Sequence, residues 1–444
     1  MKDVSMKIPP AIRNSASYFL LSVIPQIAAA NPVLSTTTWT NITPSQSQVG
    51  KVADVFCQGM AIDPNNPSTL YLCVCAFDVQ YGGLFKTTDA GSTWKKVGNL
   101  DEPLHLAIDP KNSNHMYCVD GVRGNTIGFW VSDDGGTTWT KPAGFVSASA
   151  KPVGTQDLYS ISTEPGNFDH ILVSYHSPWD NGTNNAGILE SKDGGTTWLA
   201  INPPAGSAGG YGMAVFFLYF PEHNAGNANT WLFTAQQGGF FKTTDAGATW
   251  KQVYNSPMTH GGNQIYCSKT GDLYSGGMCY LARSTDNGSS WQQQNNGLDY
   301  SWYIGVCGDG NLLYTSCSNG GKAPFYVSPE SDGTKWTKFQ GGAQTFTSQP
   351  FEMYYDKVNG IMYSANWEGL FALKVSTSPV VRQKYEKTHS GNVPEFKIII
   401  SSSGDIDYAH SSAYYSLSGV RIDNTHRDQR FNTSQILIRE NKNP

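Results

Sequence analysis

A pattern of eight residues, Ser/Thr-x-Asp-x-Gly-x-Thr/Ser-Trp, occurs five times in this 444-residue chain, and a repeat of this kind restricts the fold more than any single motif does. The copies occupy 87–94, 132–139, 191–198, 243–250 and 284–291, with Asp89, Asp134, Asp193, Asp245 and Asp286 at their third position. A sixth, at 328–336, carries one extra residue and has Glu330 where the others have Asp. From Trp94 to Trp336 the repeat tryptophans lie 45, 59, 52, 41 and 45 residues apart, room for one four-stranded sheet per repeat. The residue types explain the pattern locally. Asp tightens a hairpin by accepting backbone N–H bonds, Gly adopts a backbone conformation that other residues resist, and Trp opens the next strand with a ring that fills the space between sheets.

The first repeat reads as strands at 56–62, 69–76, 83–87 and 93–97, with a turn at Asp63-Pro64-Asn65-Asn66-Pro67. At the far end, 351–355, 360–365 and 369–375 supply three strands with no eight-residue copy after them. A seventh tryptophan, in Thr38-Trp39-Thr40-Asn41-Ile42, copies the end of the pattern and its outgoing strand. The N-terminal strand is therefore expected to complete the last sheet and close a ring. The fold class is all-β, a seven-bladed β-propeller over residues 31–375. One face of such a disc carries the loops entering each inner strand and those joining second to third strands, where propeller ligand sites usually lie.

These repeats resemble the Asp-box of sialidases, of sortilin-type receptor domains and of xyloglucanase-like glycoside hydrolases. The resemblance implies that the repeated aspartates are structural and lie at the periphery of the disc. It also singles out Asp78. Leu70-Tyr71, then Asp78, then Gly82-Gly83 is similar to the first blade of the xyloglucanase-like hydrolases, which carries a catalytic Asp, although the loop here is longer. Those hydrolases pair two seven-bladed propellers and place one catalytic Asp on each. This chain has one, so the second carboxylate has to come from the same disc.

Glycoside hydrolysis needs two carboxyl groups, one protonated as general acid and one acting as base or nucleophile. Setting aside repeat and turn aspartates leaves Asp54, Asp78, Asp157, Asp180, Glu352 and Glu368 on the loop-bearing face. Asp180, in His176-Ser177-Pro178-Trp179-Asp180, occupies in the third blade the loop that holds Asp78 in the first, and the two are expected to be the catalytic pair. Trp179, Gln236, Gln237, Asn263, Trp302 and Trp367 are the expected substrate-binding residues, because aromatic rings stack on sugar faces and amides bond sugar hydroxyls. The expected substrate is a β-linked polysaccharide, with no cofactor and no metal. Two other readings stay open. A propeller that binds a glycan or peptide without turning it over needs only the aromatic floor. A polysaccharide lyase needs a cation and a His or Tyr, for which Arg123, His105, His176, His260 and Tyr81 are available. A conventional sialidase is excluded, since it clamps a carboxylate with three arginines and the propeller has Arg123 and Arg283 alone.

Export is expected from the first thirty residues. Lys2, Lys7 and Arg13 precede a short apolar run, 18–24, and Ala28-Ala29-Ala30 follows it, the layout of a secretory signal peptide. A net charge of −5 provides no broad basic footprint for nucleic acid, and no later run is long and apolar enough to insert in a membrane. The expected protein is a secreted monomer with a glycan as its partner. Eight cysteines fit that setting as buried residues or as pairs on neighbouring strands: Cys57 with Cys73 or Cys75, Cys267 with Cys279, and Cys307 with Cys317. Residues 376–444 lose the tryptophan period and hold most of the arginines. Segments 396–401 and 414–422 read there as strands, and the second resembles the Tyr-x-Leu-x-Gly-x-Arg core of Bacteroidetes secretion sorting domains. A small β or disordered appendage is the alternative.

Overall fold

The structure, a computed structural model, describes residues 32, 34–45, 55–76, 81–121, 124–149, 157–177, 187–202, 212–236, 238–255, 263–277, 281–299, 302–318, 324–339, 346–348 and 350–375, together with four short strands beyond residue 395. The chain divides into two compact units, Met1–Leu373 and Lys374–Pro444.

In the first unit seven antiparallel sheets follow one another along the chain. The first blade is Val55–Ile62, Leu70–Ala76, Gly83–Thr87 and Lys95–Val97, in that order from the innermost strand outward. The inner strands of the second to seventh blades are Pro103–Asp109, Asp157–Glu164, Gly212–Phe217, Ile265–Cys267, Trp302–Gly308 and Glu352–Asp356. Thr40–Asn41 pairs with Gly369–Lys374 as the outer strand of the seventh blade, so the ring closes on the N-terminal segment as expected. Trp39 inserts beside it, 2% exposed, stacked on Phe325 at 4.7 Å and edge-on to Phe346 at 5.6 Å.

The repeated hairpins lie between third and fourth strands. In each of the five full copies one Asp oxygen accepts the backbone N–H four residues on, and the other accepts the hydroxyl of that same residue. For Asp89 these are Thr93 N at 2.9 Å and Thr93 Oγ1 at 2.7 Å, and Asp134, Asp193, Asp245 and Asp286 repeat the arrangement. The hydroxyl that opens the pattern, such as Thr87 Oγ1, accepts the Gly N–H. That Gly is left-handed in every copy, and so is the residue before it, even when it is Ala90 or Ala246. Each tryptophan then packs between its own blade and the one before. Trp139, for example, lies among Tyr71, Leu84 and Val97 of the first blade and Leu106 and Met116 of the second.

The degenerate sixth copy works differently. Glu330 is too long to close its own turn, and it reaches into the fifth blade to accept Tyr266 OH at 2.9 Å and Lys269 N at 2.7 Å. Asp332 caps the local turn in its place through Thr334. The second blade also departs from four strands. It has Pro103–Asp109, Asn112–Asp120 and Gly128–Ser132, and its fourth strand is reduced to a bridge between Val131 and Thr140. Pro142 has no N–H to extend that pairing, and the helix Ala143–Ser149 begins directly after it.

An inner strand has a neighbour on one side only, and its other edge would leave backbone groups unpaired beside the channel. Side chains from adjacent blades occupy that edge. Ser160 and Ser162 of the third blade accept Val215 N at 3.1 Å and Phe217 N at 3.3 Å in the fourth. Gln264 takes Val306 N and Met353 N on its Oε1, both at 3.1 Å, and donates to Met353 O at 2.7 Å, joining the fifth, sixth and seventh blades. Glu352 of the seventh accepts Met60 N of the first at 3.3 Å. The first two inner strands approach so closely that a Cβ on Gly59 would lie 2.3 Å from the Leu104 carbonyl oxygen.

In the second unit, Phe396–Lys397, Ile438–Glu440, Tyr414–Tyr415 and Arg421–Ile422 form one four-stranded sheet in that spatial order. Tyr414 pairs with Ile422, so the segment expected to be a single strand over 414–422 folds back on itself as a hairpin.

Candidate functional site

The loop-bearing face is built from the starts of the inner strands and the turns between second and third strands. Of the expected substrate-binding residues, Trp367 lies in the last such turn, between Ile361–Asn366 and Gly369–Lys374. Its indole is half exposed and stacks on Phe351 at 5.7 Å and 18°, which fixes the orientation of an aromatic surface turned partly to solvent. Gln236 directly follows the second strand of the fourth blade, and Asn263 precedes the inner strand of the fifth. The side-chain carbonyl oxygens of both are buried and meet no donor among the described residues. A buried amide oxygen without a partner costs free energy that a donor from a ligand would recover. Trp302 opens the inner strand of the sixth blade, opposite Ser318. Asp78, Trp179, Asp180 and Gln237 lie outside the described residues, as do Asp54, Arg123 and His260, and Asp157 is described only as the first residue of its strand.

Two carboxylates from the wider list are committed elsewhere. Glu368 Oε1 accepts the N–H and hydroxyl of both Thr347 and Ser348, all at 2.7–2.8 Å. Burial acts to raise its pKa, but these four donors prevail and hold it below the usual carboxylate range. Glu352 is 2% exposed and accepts Met60 N–H, the Tyr354 hydroxyl and the Nε2 side of the His105 ring. Burial pushes the His105 imidazole down, and the adjacent Glu352 charge more than offsets that and raises it above its ordinary value. The His105 Nδ1 is buried with no partner among the described residues. The other imidazole weighed for proton transfer is also held in place: His176 Nδ1 lies 3.1 Å from Gly212 O, and its ring stacks on Tyr159 at 4.2 Å.

The face also holds a carboxyl pair that the sequence reading passed over. Glu102 and Asp120 flank the top of the second blade, and both are fully buried. Asp120 Oδ2 accepts Glu102 N at 3.1 Å and Thr126 Oγ1 at 2.8 Å, while its Oδ1 meets no donor among the described residues. Glu102 Oε2 receives the Cys75 thiol at 3.4 Å. Burial, with smaller contributions from Asp101 and Glu102, pushes Asp120 up to about 6 despite those two hydrogen bonds. In sequence, Asp101-Glu102 and Asp120 look like any acidic turn residues, and only the packing of two blades sets them apart.

Asp120 yields a prediction of definite sign. Its folded value of about 6 exceeds the ordinary 3.8, so the folded state binds the proton more tightly than the unfolded chain does. The ionised group therefore lowers stability as pH rises from 4 to 6, by about 3 kcal/mol in total. Asp120→Asn is expected to match the parent at pH 4 and exceed it by about that amount at pH 8, read by urea unfolding at both. A variant equally destabilised at both pH values would show that Asp120 serves as a paired anion.

The chain matches no protein-family model. It is 28% identical over 195 residues to a probable oligoxyloglucan-reducing end-specific xyloglucanase of Neosartorya fischeri, a match covering 39% of this chain and 22% of that protein. A xyloglucanase of Acetivibrio thermocellus is 25% identical over 309 residues, covering 58% and 34%. The chain thus spans between about a fifth and a third of the length of these relatives. Among solved structures, the GH74 xyloglucanase of Xanthomonas campestris superposes with a TM-score of 0.56 at 16% identity, covering 78% of this chain and 55% of that one. YCF48 bound to a D1 peptide superposes at 0.51 and 15% identity, covering 78% and 99%. The structural likeness is one of fold.

Proposed function

We propose that this chain is an exported, carbohydrate-active propeller that hydrolyses a β-linked polysaccharide, with Asp78 and Asp180 as its carboxylate pair. The observation that carries this reading is the sequence similarity to xyloglucanases, 28% over 195 residues, together with the first-blade resemblance around Asp78. The half-exposed Trp367 and the unpartnered amide oxygens of Gln236 and Asn263 support a face suited to a neutral glycan, whose rings stack and whose hydroxyls donate. The carboxyl separation sets the stereochemistry: ~5–5.5 Å for retention, ~6.5–9.5 Å for inversion with a water between.

A second reading, binding without turnover, is favoured by one observation. Glu352 and Glu368, described candidates for a second carboxylate, are each held by several protein donors. One panel separates the readings. Incubation with xyloglucan and other β-glucans is expected to release reducing ends, and retention of polysaccharide without release would establish the binder. Release of unsaturated uronates from acidic polysaccharides would establish a lyase. Asp78→Ala is expected to abolish release with unfolding unchanged, whereas Asp89→Ala is expected to cost roughly 1–3 kcal/mol of stability and spare turnover. If both variants only destabilise, Asp78 is another hairpin carboxylate.

A further inference from the structure

We propose that Trp367 and Glu368 form a sugar subsite at the top of the seventh blade that admits neutral pyranose units and rejects acidic ones. The inference rests on the glycan reading above and names the class of sugar that this part of the face selects. The two residues are neighbours in the turn between Ile361–Asn366 and Gly369–Lys374. Both side chains lie against one short segment, the approach to the inner strand. Trp367 stacks on Phe351, and Glu368 Oε1 takes four donors from Thr347 and Ser348. The ring and the carboxylate are thus held side by side.

The two oxygens of Glu368 are used unequally. All four donors converge on Oε1, while the residue is partly exposed and its Oε2 meets no donor among the described residues. The donors hold the group ionised, with its pKa below the usual carboxylate range. Beside this spare charged acceptor stands an indole that is half exposed, an uncommon position for so large an apolar ring. The turn that carries both is fixed. Glu368 N donates to Oδ1 of the fully buried Asn366 at 2.8 Å. A Cβ on the next residue, Gly369, would lie 2.0 Å from Thr43 Oγ1, just after the closing strand. A platform held this firmly loses little freedom when a ligand arrives.

A pyranose stacked on the indole presents hydroxyls at its rim, and these donate to Oε2. Hydrogen bonds to an ionised acceptor are about twice as strong as those between neutral groups. A uronate unit in the same place brings its own carboxylate up to Glu368. Two like charges about 5 Å apart at a half-exposed site repel enough to weaken binding about tenfold or more. Selection then comes from repulsion as well as from fit. Because Glu368 is held ionised, the rejection is expected to be as strong at pH 6 as at pH 8.

The test is calorimetric titration of the full chain with cellohexaose and with the same oligomer oxidised to a carboxylate at every C6, with reducing ends measured in parallel. The expected result is tighter binding of the neutral sugar by about tenfold or more, a ratio that narrows as salt rises from about 0.02 M to about 0.5 M. Glu368→Gln keeps an acceptor for Thr347 and Ser348 and is expected to bring the ratio close to one. Trp367→Ala is expected to weaken both sugars and leave the ratio as it was. A parent ratio near one, a ratio that survives Glu368→Gln, or unchanged affinities in Trp367→Ala each overturn the subsite and leave the hydrolysis reading standing. A ratio set by Glu368 without release of reducing ends overturns hydrolysis and leaves the subsite. Binding of neither sugar overturns the subsite, and the polysaccharide panel still decides hydrolysis. If Glu368→Gln fails to fold, the parent decides alone: a ratio indifferent to salt overturns the proposal.

Discussion

Glu352→Ala is expected to cost about 3–5 kcal/mol, because it strips three donors from two neighbouring blades and its own strand of their shared acceptor. Met60 N–H, the Tyr354 hydroxyl and the His105 ring would all be left buried and unmatched. The loss should depend on pH in a definite direction. His105 has its folded pKa raised above the ordinary 6.5 by Glu352, so the contribution of the charged pair is complete below pH 6.5 and fades as pH rises through the folded value. Urea unfolding of parent and variant at pH 6 and pH 9 should show the wider gap at pH 6. Glu352→Gln, which keeps one acceptor and no charge, should fall between them and lose the pH dependence. A gap below 1 kcal/mol at pH 6 would mean that His105 and Met60 find other partners.

Removal of residues 31–44 is expected to have the largest effect of any change to the disc. It deletes the outer strand of the seventh blade, the Trp39 indole packed on Phe325 and Phe346, and the hydrogen bonds of Ile42 and Thr43 with Leu370. It also takes away the Ile42 carbonyl that accepts the Trp94 indole N–H of the first blade at 2.7 Å. Truncating a buried Trp alone costs about 3–5 kcal/mol, so the whole segment should exceed that and open the ring. Removal of residues 1–30 is expected to leave the unfolding curve unchanged. Equal midpoints for the two truncations, by calorimetry, would refute closure by this strand.

What could be read in the sequence was whatever is local. The hairpin copies are legible because Asp89 bonds Thr93, four residues away, so spacing alone records the contact. Seven blades and the closing strand followed from the period and from one orphaned tryptophan, Trp39. What escaped was set by partners far apart. Glu352 read as a free carboxylate because His105, 247 residues distant, left no mark in the local pattern. Asp120 was passed over because its shift arises from burial in the folded disc. Cys307 and Cys317 were paired by proximity along the chain, whereas the strand register sets Tyr314 opposite the first and Tyr303 opposite the second. The second blade was expected to have four strands, and a proline two residues beyond Thr140 ended the fourth.

The pairing between Thr43 and Leu370 spans 327 residues, and it imposes an order in time. The strand that closes the seventh blade is made before every other strand of the disc, and its partner is among the last. Until Gly369–Lys374 has been made, Thr40–Asn41 has no sheet to join, and the blades that have formed end in two open edges. Such edges are templates for pairing with other chains. A growing chain of this kind stays vulnerable until the disc is nearly complete, and any factor that shields Thr40–Asn41 until Gly369–Lys374 has been made would protect its yield.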